Sequence, residues 1–179
     1  MMLAIWLAFC RVIFFGSNPR SLDGLSRCHS FGVNLLKSEF AFHHRHRVRW
    51  AECDPQWVVF NGHYLTYFDV AITEYIRNLG LPGAQAQREQ GREFFARKSI
   101  IEYHAPAKFD DELDIGVRIE YLGTTSVRFK LEVFCGESFL TSGELVYVYV
   151  DTNQRVSIPL PQAWRDAVKA FEITPLLQA

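Results

Sequence analysis

Asp54 stands in the run Ala51-Glu52-Cys53-Asp54-Pro55-Gln56-Trp57-Val58-Val59-Phe60-Asn61-Gly62-His63-Tyr64, just ahead of a strongly apolar segment with helical spacing, Leu65 to Leu79. Asn61 is a residue type that favours helix N-caps, so the pattern places a carboxylate in the loop before a helix N-terminus. Such an end offers unpaired N–H groups and the positive end of the helix dipole. It can hold an anion or stabilise an oxygen that gains charge during a reaction. Read by spacing alone, Asp54 is equally a turn or capping aspartate, the common use of Asp before Pro. His63 reads as a polar residue on the first helical turn rather than a base. His44-x-His46 sets two imidazoles on one strand face, but no third ligand stands at metal-binding spacing, and no metal is expected. The chain has no GxSxG, no Walker-type glycine loop and no HExxH.

The elements that must position these groups are legible from periodicity. Tyr64, Phe68, Ala71, Ile72, Tyr75 and Leu79 make one apolar helix face, and Leu65, Tyr67, Val70 and Ile76 extend it so far that we expect the helix to be wrapped by other structure. Gly80 and Pro82 end it. Phe40 to Trp50 alternates as a strand, with Phe42, His44, His46, Val48 and Trp50 on one face and a basic face carrying Arg45, Arg47 and Arg49 opposite. Residues 84–92 are helix-compatible. Strands follow over about 94–103, 113–121, 127–135 and 139–150, and a short closing helix over 164–171. One long helix followed by consecutive half-buried strands implies an α+β domain whose antiparallel sheet covers the helix.

The chain has 179 residues, 49% apolar and 15% aromatic, enough for one substantial core. Its 19 basic and 20 acidic residues are interspersed, which gives no electrostatic case for nucleic acid. Cys10, Cys28, Cys53 and Cys135 have neither CxxC spacing nor disulfide-framework density, so we expect free thiols and a cytoplasmic protein. Residues 1–38 read as an extension: disordered, a targeting segment or a start-site artefact. The apolar run Met1–Phe15 is too short for a membrane span, and no stable membrane insertion is expected. The folded domain is expected over 39–174.

Asp54-Pro55-Gln56-x-Val58-Val59-Phe60-Asn61-x-x-Tyr64-Leu65-x-Tyr67-Phe68 resembles the motif that opens the central helix in the 4-hydroxybenzoyl-CoA thioesterase-like branch of the hotdog-fold acyl-CoA thioesterases. The likeness runs from about Phe40 to about Glu172. It implies a hotdog fold, with an antiparallel sheet around one long helix, and hydrolysis of an acyl-CoA thioester to free acid and coenzyme A. It implies Asp54 as nucleophile or general base, and the backbone N–H at Asn61 as the group that polarises the thioester carbonyl. Trp57, Val58, Val59, Phe60 and Tyr64 would contact the acyl group. No cofactor is implied; a homodimer or tetramer with the site at a subunit interface is. Trp57 departs from the family pattern, which places Gly there, and could narrow the path, supply an acyl contact or reshape the loop. A non-catalytic acyl-CoA or acyl-carrier-protein binding module is the alternative. The hotdog hydratases pair their Asp with a His in the same loop, and Asp54 to Val58 has none. Arg97, Lys98, Arg128 and Lys130 are the candidates for coenzyme A phosphates, with a solvated strand face the plainer account of the last two.

Overall fold

A computed structural model describes residues 37–177. The expectations for most of 1–38 therefore lie outside the described residues. In chain order the elements are β1 (Phe42–Arg47), α1 (His63–Asn78), α2 (Ala84–Glu89), β2 (Arg92–Tyr103), β3 (Glu112–Leu122), β4 (Ser126–Cys135), β5 (Ser138–Asp151), β6 (Val156–Ser157) and α3 (Gln162–Phe171). The strands form one antiparallel sheet in the order β1-β3-β4-β5-β2, with β6 added to β5. This is the α+β hotdog arrangement.

Residue alternation determines which sheet face meets α1. Leu113, Ile115, Val117 and Ile119 of β3 and Val127, Phe129, Leu131 and Val133 of β4 are buried against the helix residues Tyr64, Phe68, Ala71, Ile72 and Tyr75. Gly143 of β5 admits the Phe68 ring: a Cβ there would collide with the ring edge at Cε2. The helix ends as its sequence requires. Gly80 takes φ +67, its N–H donates to Arg77 O (3.0 Å), and Leu81 N–H donates to Ile76 O (3.4 Å), closing a left-handed cap. On the opposite sheet face the basic residues of β1 find acids: Arg45 with Asp114, and Arg47 with Asp110 and Glu112.

Three local expectations need correction. The first strand stops at Arg47, and Trp50 does not join the buried face. It opens a 3-10 turn, Trp50–Glu52, and is exposed, because the Glu52 carboxylate accepts the Arg49 N–H (2.7 Å) and turns the chain. Asn61 is not the helix cap. Gly62 flanks α1, no side chain caps it, and His63 N–H donates instead to Phe60 O (2.9 Å). Among the described residues the helix is covered on one side only, since Leu65 and Val70 remain 43% and 42% exposed.

Candidate active site

The loop carrying Asp54 is a hairpin. Asp54 N–H donates to Val58 O (2.9 Å) and Trp57 N–H to Asp54 O (2.9 Å), so residues 54–57 form a tight turn with Pro55 in its second position. Trp57 follows in the left-handed region, φ +64. A three-residue hairpin loop closes in this way, with its last residue left-handed, and that position ordinarily belongs to Gly. The indole is accommodated by pointing out of the turn. It is 68% exposed, with its ring edge-on to Trp50 (5.4 Å), which in turn meets Phe109 (5.3 Å).

The Asp54 side chain is fixed from within the turn. Its Oδ1 accepts the Gln56 N–H (2.8 Å), while Oδ2 has no partner among the described residues. The residue is half-buried, with one carboxylate oxygen oriented and one free. Behind the turn the hairpin is stitched into the fold: Cys53 bridges Val59, Phe60 N–H donates to Glu52 O (2.9 Å), and Val59 N–H donates to Ala107 O (2.9 Å). The 52/60 pair leads directly into α1. Asp54 therefore lies two residue steps along the ladder from Phe60, and Asn61 and Gly62 follow Phe60 before the first helical residue, His63.

At that entry the amides of Asn61 and Gly62 donate to no acceptor among the described residues. The Asn61 carbonyl accepts from Tyr64 N–H (3.4 Å) and from Tyr103 Oη (3.1 Å) at the end of β2. Tyr103 was not legible as a site residue, because its partner is 42 residues away. The five residues expected to contact an acyl group separate. Trp57 and Phe60 are exposed, Val58 is half-buried, and Val59 and Tyr64 belong to the core, where Tyr64 Oη accepts the Ala107 N–H (3.2 Å). Burial pushes the Tyr64 hydroxyl up from its ordinary pKa.

A second cluster lies on the other side of the hairpin. Glu52 Oε2 accepts from Arg49 N–H (2.7 Å), Tyr67 Oη (2.9 Å) and His46 Nε2 (3.1 Å). Burial alone would push the Glu52 carboxyl up. The hydrogen bonds to Arg49, His46 and Tyr67 outweigh it and hold the group below the usual carboxylate range. The cluster borders a cavity of about 680 Å³ between β1 and α1, lined in part by His44, His46, Glu52, Thr66, Tyr67 and Val70. His44 is held below its ordinary pKa, mainly by burial. His63 is half-buried, its ring stacked on Tyr67 at 6.4 Å. Among the described residues no group of three or more His, Cys, Asp or Glu is placed to hold a metal. Of the candidate phosphate-binding cations, Lys98 pairs with Glu144 (3.1 Å) and Arg128 with Glu120 (3.2 Å).

A half-buried carboxylate on the hairpin that precedes a helix entry whose amides have no acceptor among the described residues offers a group able to attack or to take a proton and N–H groups able to hold a developing oxyanion. Known proteins point the same way. The family model of the thioesterase superfamily matches residues 57–140. The acyl-CoA thioester hydrolase YbgC of Escherichia coli O157:H7 is 30% identical over 118 residues, covering 65% of this chain and 87% of that protein. A putative esterase of Aquifex aeolicus is 29% identical over 118 residues, covering 66% and 91%. Among solved structures, a thioesterase from Thermus thermophilus complexed with coenzyme A and Zn is 28% identical, with a TM-score of 0.67 over 77% of this chain and 98% of that one. The chain therefore belongs to the thioesterase superfamily, as a hotdog-fold thioester hydrolase of the 4-hydroxybenzoyl-CoA thioesterase-like branch.

Proposed function

We propose that this protein hydrolyses acyl-CoA thioesters, with Asp54 as the reacting carboxylate and the amides at Asn61 and Gly62 as the oxyanion site. The observation that carries this reading is the state of Asp54: one oxygen is fixed by Gln56 N–H and the other has no partner among the described residues, while the Asn61 and Gly62 amides, just past the 52/60 end of the same hairpin, have no acceptor among the described residues. A carbonyl oxygen at the amides develops negative charge as the carbon is attacked, and fixed N–H dipoles stabilise it without reorganising. Either Asp54 attacks the carbonyl carbon, expels coenzyme A as thiolate and leaves a mixed anhydride that water hydrolyses, or it takes the proton of an attacking water, the tetrahedral intermediate then expels coenzyme A as thiolate, and the proton passes from Asp54 to that leaving sulfur. Both routes return the carboxylate to its starting state.

The exposed β2 edge supports a homodimer. β2 is 12 residues long, is paired among the described residues only to β5, and carries exposed Phe95, Ile100 and Tyr103 among charged residues such as Arg97 and Lys98. A long open edge with exposed aromatic and aliphatic side chains can serve as a template for a second copy. The open face of α1 at Leu65 and Val70 supports further burial in a larger assembly. The half-buried free thiols Cys53 and Cys135 support a cytoplasmic setting.

The test is thiol release across short, medium, long and aryl acyl-CoAs, comparing wild type with Asp54→Ala and Trp57→Gly. Turnover by wild type and its loss in Asp54→Ala is the expected result. Tight binding without turnover, with activity appearing only in Trp57→Gly, would replace the enzyme by a binding module.

A further inference from the structure

Glu52 is the point where three elements meet. Its Oε2 collects a donor from β1 (His46), from α1 (Tyr67) and from its own turn (Arg49 N–H), while its backbone carbonyl takes Phe60 N–H just ahead of α1. Side chains of His46 and Glu52 are only 15% and 13% exposed. The Tyr67 ring also lies against the His46 ring, centroids 4.2 Å apart. The cluster also lines one wall of the recess of about 680 Å³ between β1 and α1, so the turn is packed on its Tyr67 side and borders open space on the other. The hydrogen bonds converging on Glu52 tie the turn to β1 and α1 across that boundary. Two residues beyond Glu52 is Asp54; two residues before Asn61 is Val59, which bridges Cys53. Any rotation at Glu52 is passed to both halves of the proposed site.

We propose that Glu52 is a positioning residue, fixing the distance between the Asp54 carboxylate and the α1 entry through His46 and Tyr67 without touching substrate. This rests on the reading of Asp54 as the reacting carboxylate. The predicted signature lies in kcat, because displacement by about 1 Å at a reacting group costs on the order of 100-fold in rate.

The experiment uses the intact protein and the best acyl-CoA of the panel. Glu52→Ala loses about 100-fold in kcat with KM within about threefold. Glu52→Gln keeps an acceptor oxygen and recovers about tenfold of that loss. Tyr67→Phe keeps the ring but not the donor and loses about five- to tenfold, and adding it to Glu52→Ala costs nothing more, because the two act through one contact. A second readout is independent of activity. The amides of Asp54 and Trp57, both hydrogen-bonded within the hairpin, exchange with solvent about tenfold faster in Glu52→Ala and Tyr67→Phe, while those of β3 and β4 do not. Wild-type kcat in folded Glu52→Ala, losses confined to KM, or unchanged exchange at Asp54 and Trp57 overturns the proposal. If Glu52→Ala does not fold, Tyr67→Phe decides: wild-type kcat and exchange there overturn it. The underlying reading fails in a different arm. Full turnover by Asp54→Ala removes Asp54 from the reaction, whatever the exchange data show.

Discussion

Trp57 sets up a stability comparison with an unusual sign. In extended or helical backbone, Gly is less stable than Ala by about 0.5–1 kcal/mol, because it loses more conformational freedom on folding. At φ +64 the order should reverse. Any residue with a Cβ carries a left-handed penalty of about 1–2 kcal/mol that Gly does not, and this exceeds the entropic term. Both Trp57→Gly and Trp57→Ala lose the indole, whose contact with Trp50 is worth about 0.5–1.5 kcal/mol. Because the ring is 68% exposed, the rest of its burial is modest. That loss is common to the two variants and cancels between them. Trp57→Gly should therefore be more stable than Trp57→Ala by about 1 kcal/mol, a urea midpoint difference of about 0.5 M at a typical slope. Equilibrium urea unfolding followed by circular dichroism measures it. An Ala variant as stable as the Gly variant, with equal slopes, would show that the hairpin does not hold Trp57 left-handed, and would remove the geometry that orients Asp54.

Other consequences are local. Glu172 Oε1 accepts from both Tyr75 Oη and Ile119 N–H (2.7 Å), so Glu172→Ala strands two buried donors; we expect a loss of about 2–4 kcal/mol and a Tm lower by about 5–15 °C, read by calorimetry. Burial raises the Glu172 carboxyl above its reference value of 4.5, against the opposing Tyr75 and Ile119 hydrogen bonds and the Arg118 charge. Its contribution to stability is therefore fully present below pH 4.5 and is lost as pH rises through the folded value. Glu172→Gln, which keeps the acceptor, should abolish that decline in a stability–pH profile. Gly143→Ala places a methyl against the Phe68 ring and should cost about 1–3 kcal/mol in urea unfolding, whereas an unchanged midpoint would mean that β5 and α1 do not approach as closely as described. Ile100→Lys on the open β2 edge should convert a dimer to monomer in analytical ultracentrifugation if that edge carries the pairing, and leave the mass unchanged if it does not.

What could be read from the sequence was what local periodicity encodes. The 3.6-residue spacing of Tyr64, Phe68, Ala71, Ile72 and Tyr75 and the strict alternation in β3 and β4 point to their partners regardless of context. The two residues of β6 are too few to carry a period. The end of β1 was hidden because alternation continues formally to Trp50, whereas the turn is made by a carboxylate three residues beyond Arg49. At the site, Asp54 and the helix start were marked by Pro55 and the change of period, but the partners that hold them were not. His46, Tyr67 and Tyr103 reach Glu52 and Asn61 across the fold, from positions that read as ordinary strand and helix residues. Trp57 concealed the hairpin type, since the left-handed position is normally announced by Gly.

The central claim is that the free oxygen of Asp54 does the chemistry beside the α1 amides. Its most direct measurement is steady-state thiol release by Asp54→Asn, a near-isosteric change that keeps an oxygen to accept Gln56 N–H and removes the charge. Loss of the nucleophile or base should lower kcat by at least about 100-fold with thermal stability within about 1 kcal/mol of wild type. An Asp54→Asn protein that is folded and turns over acyl-CoA at the wild-type rate would contradict the account.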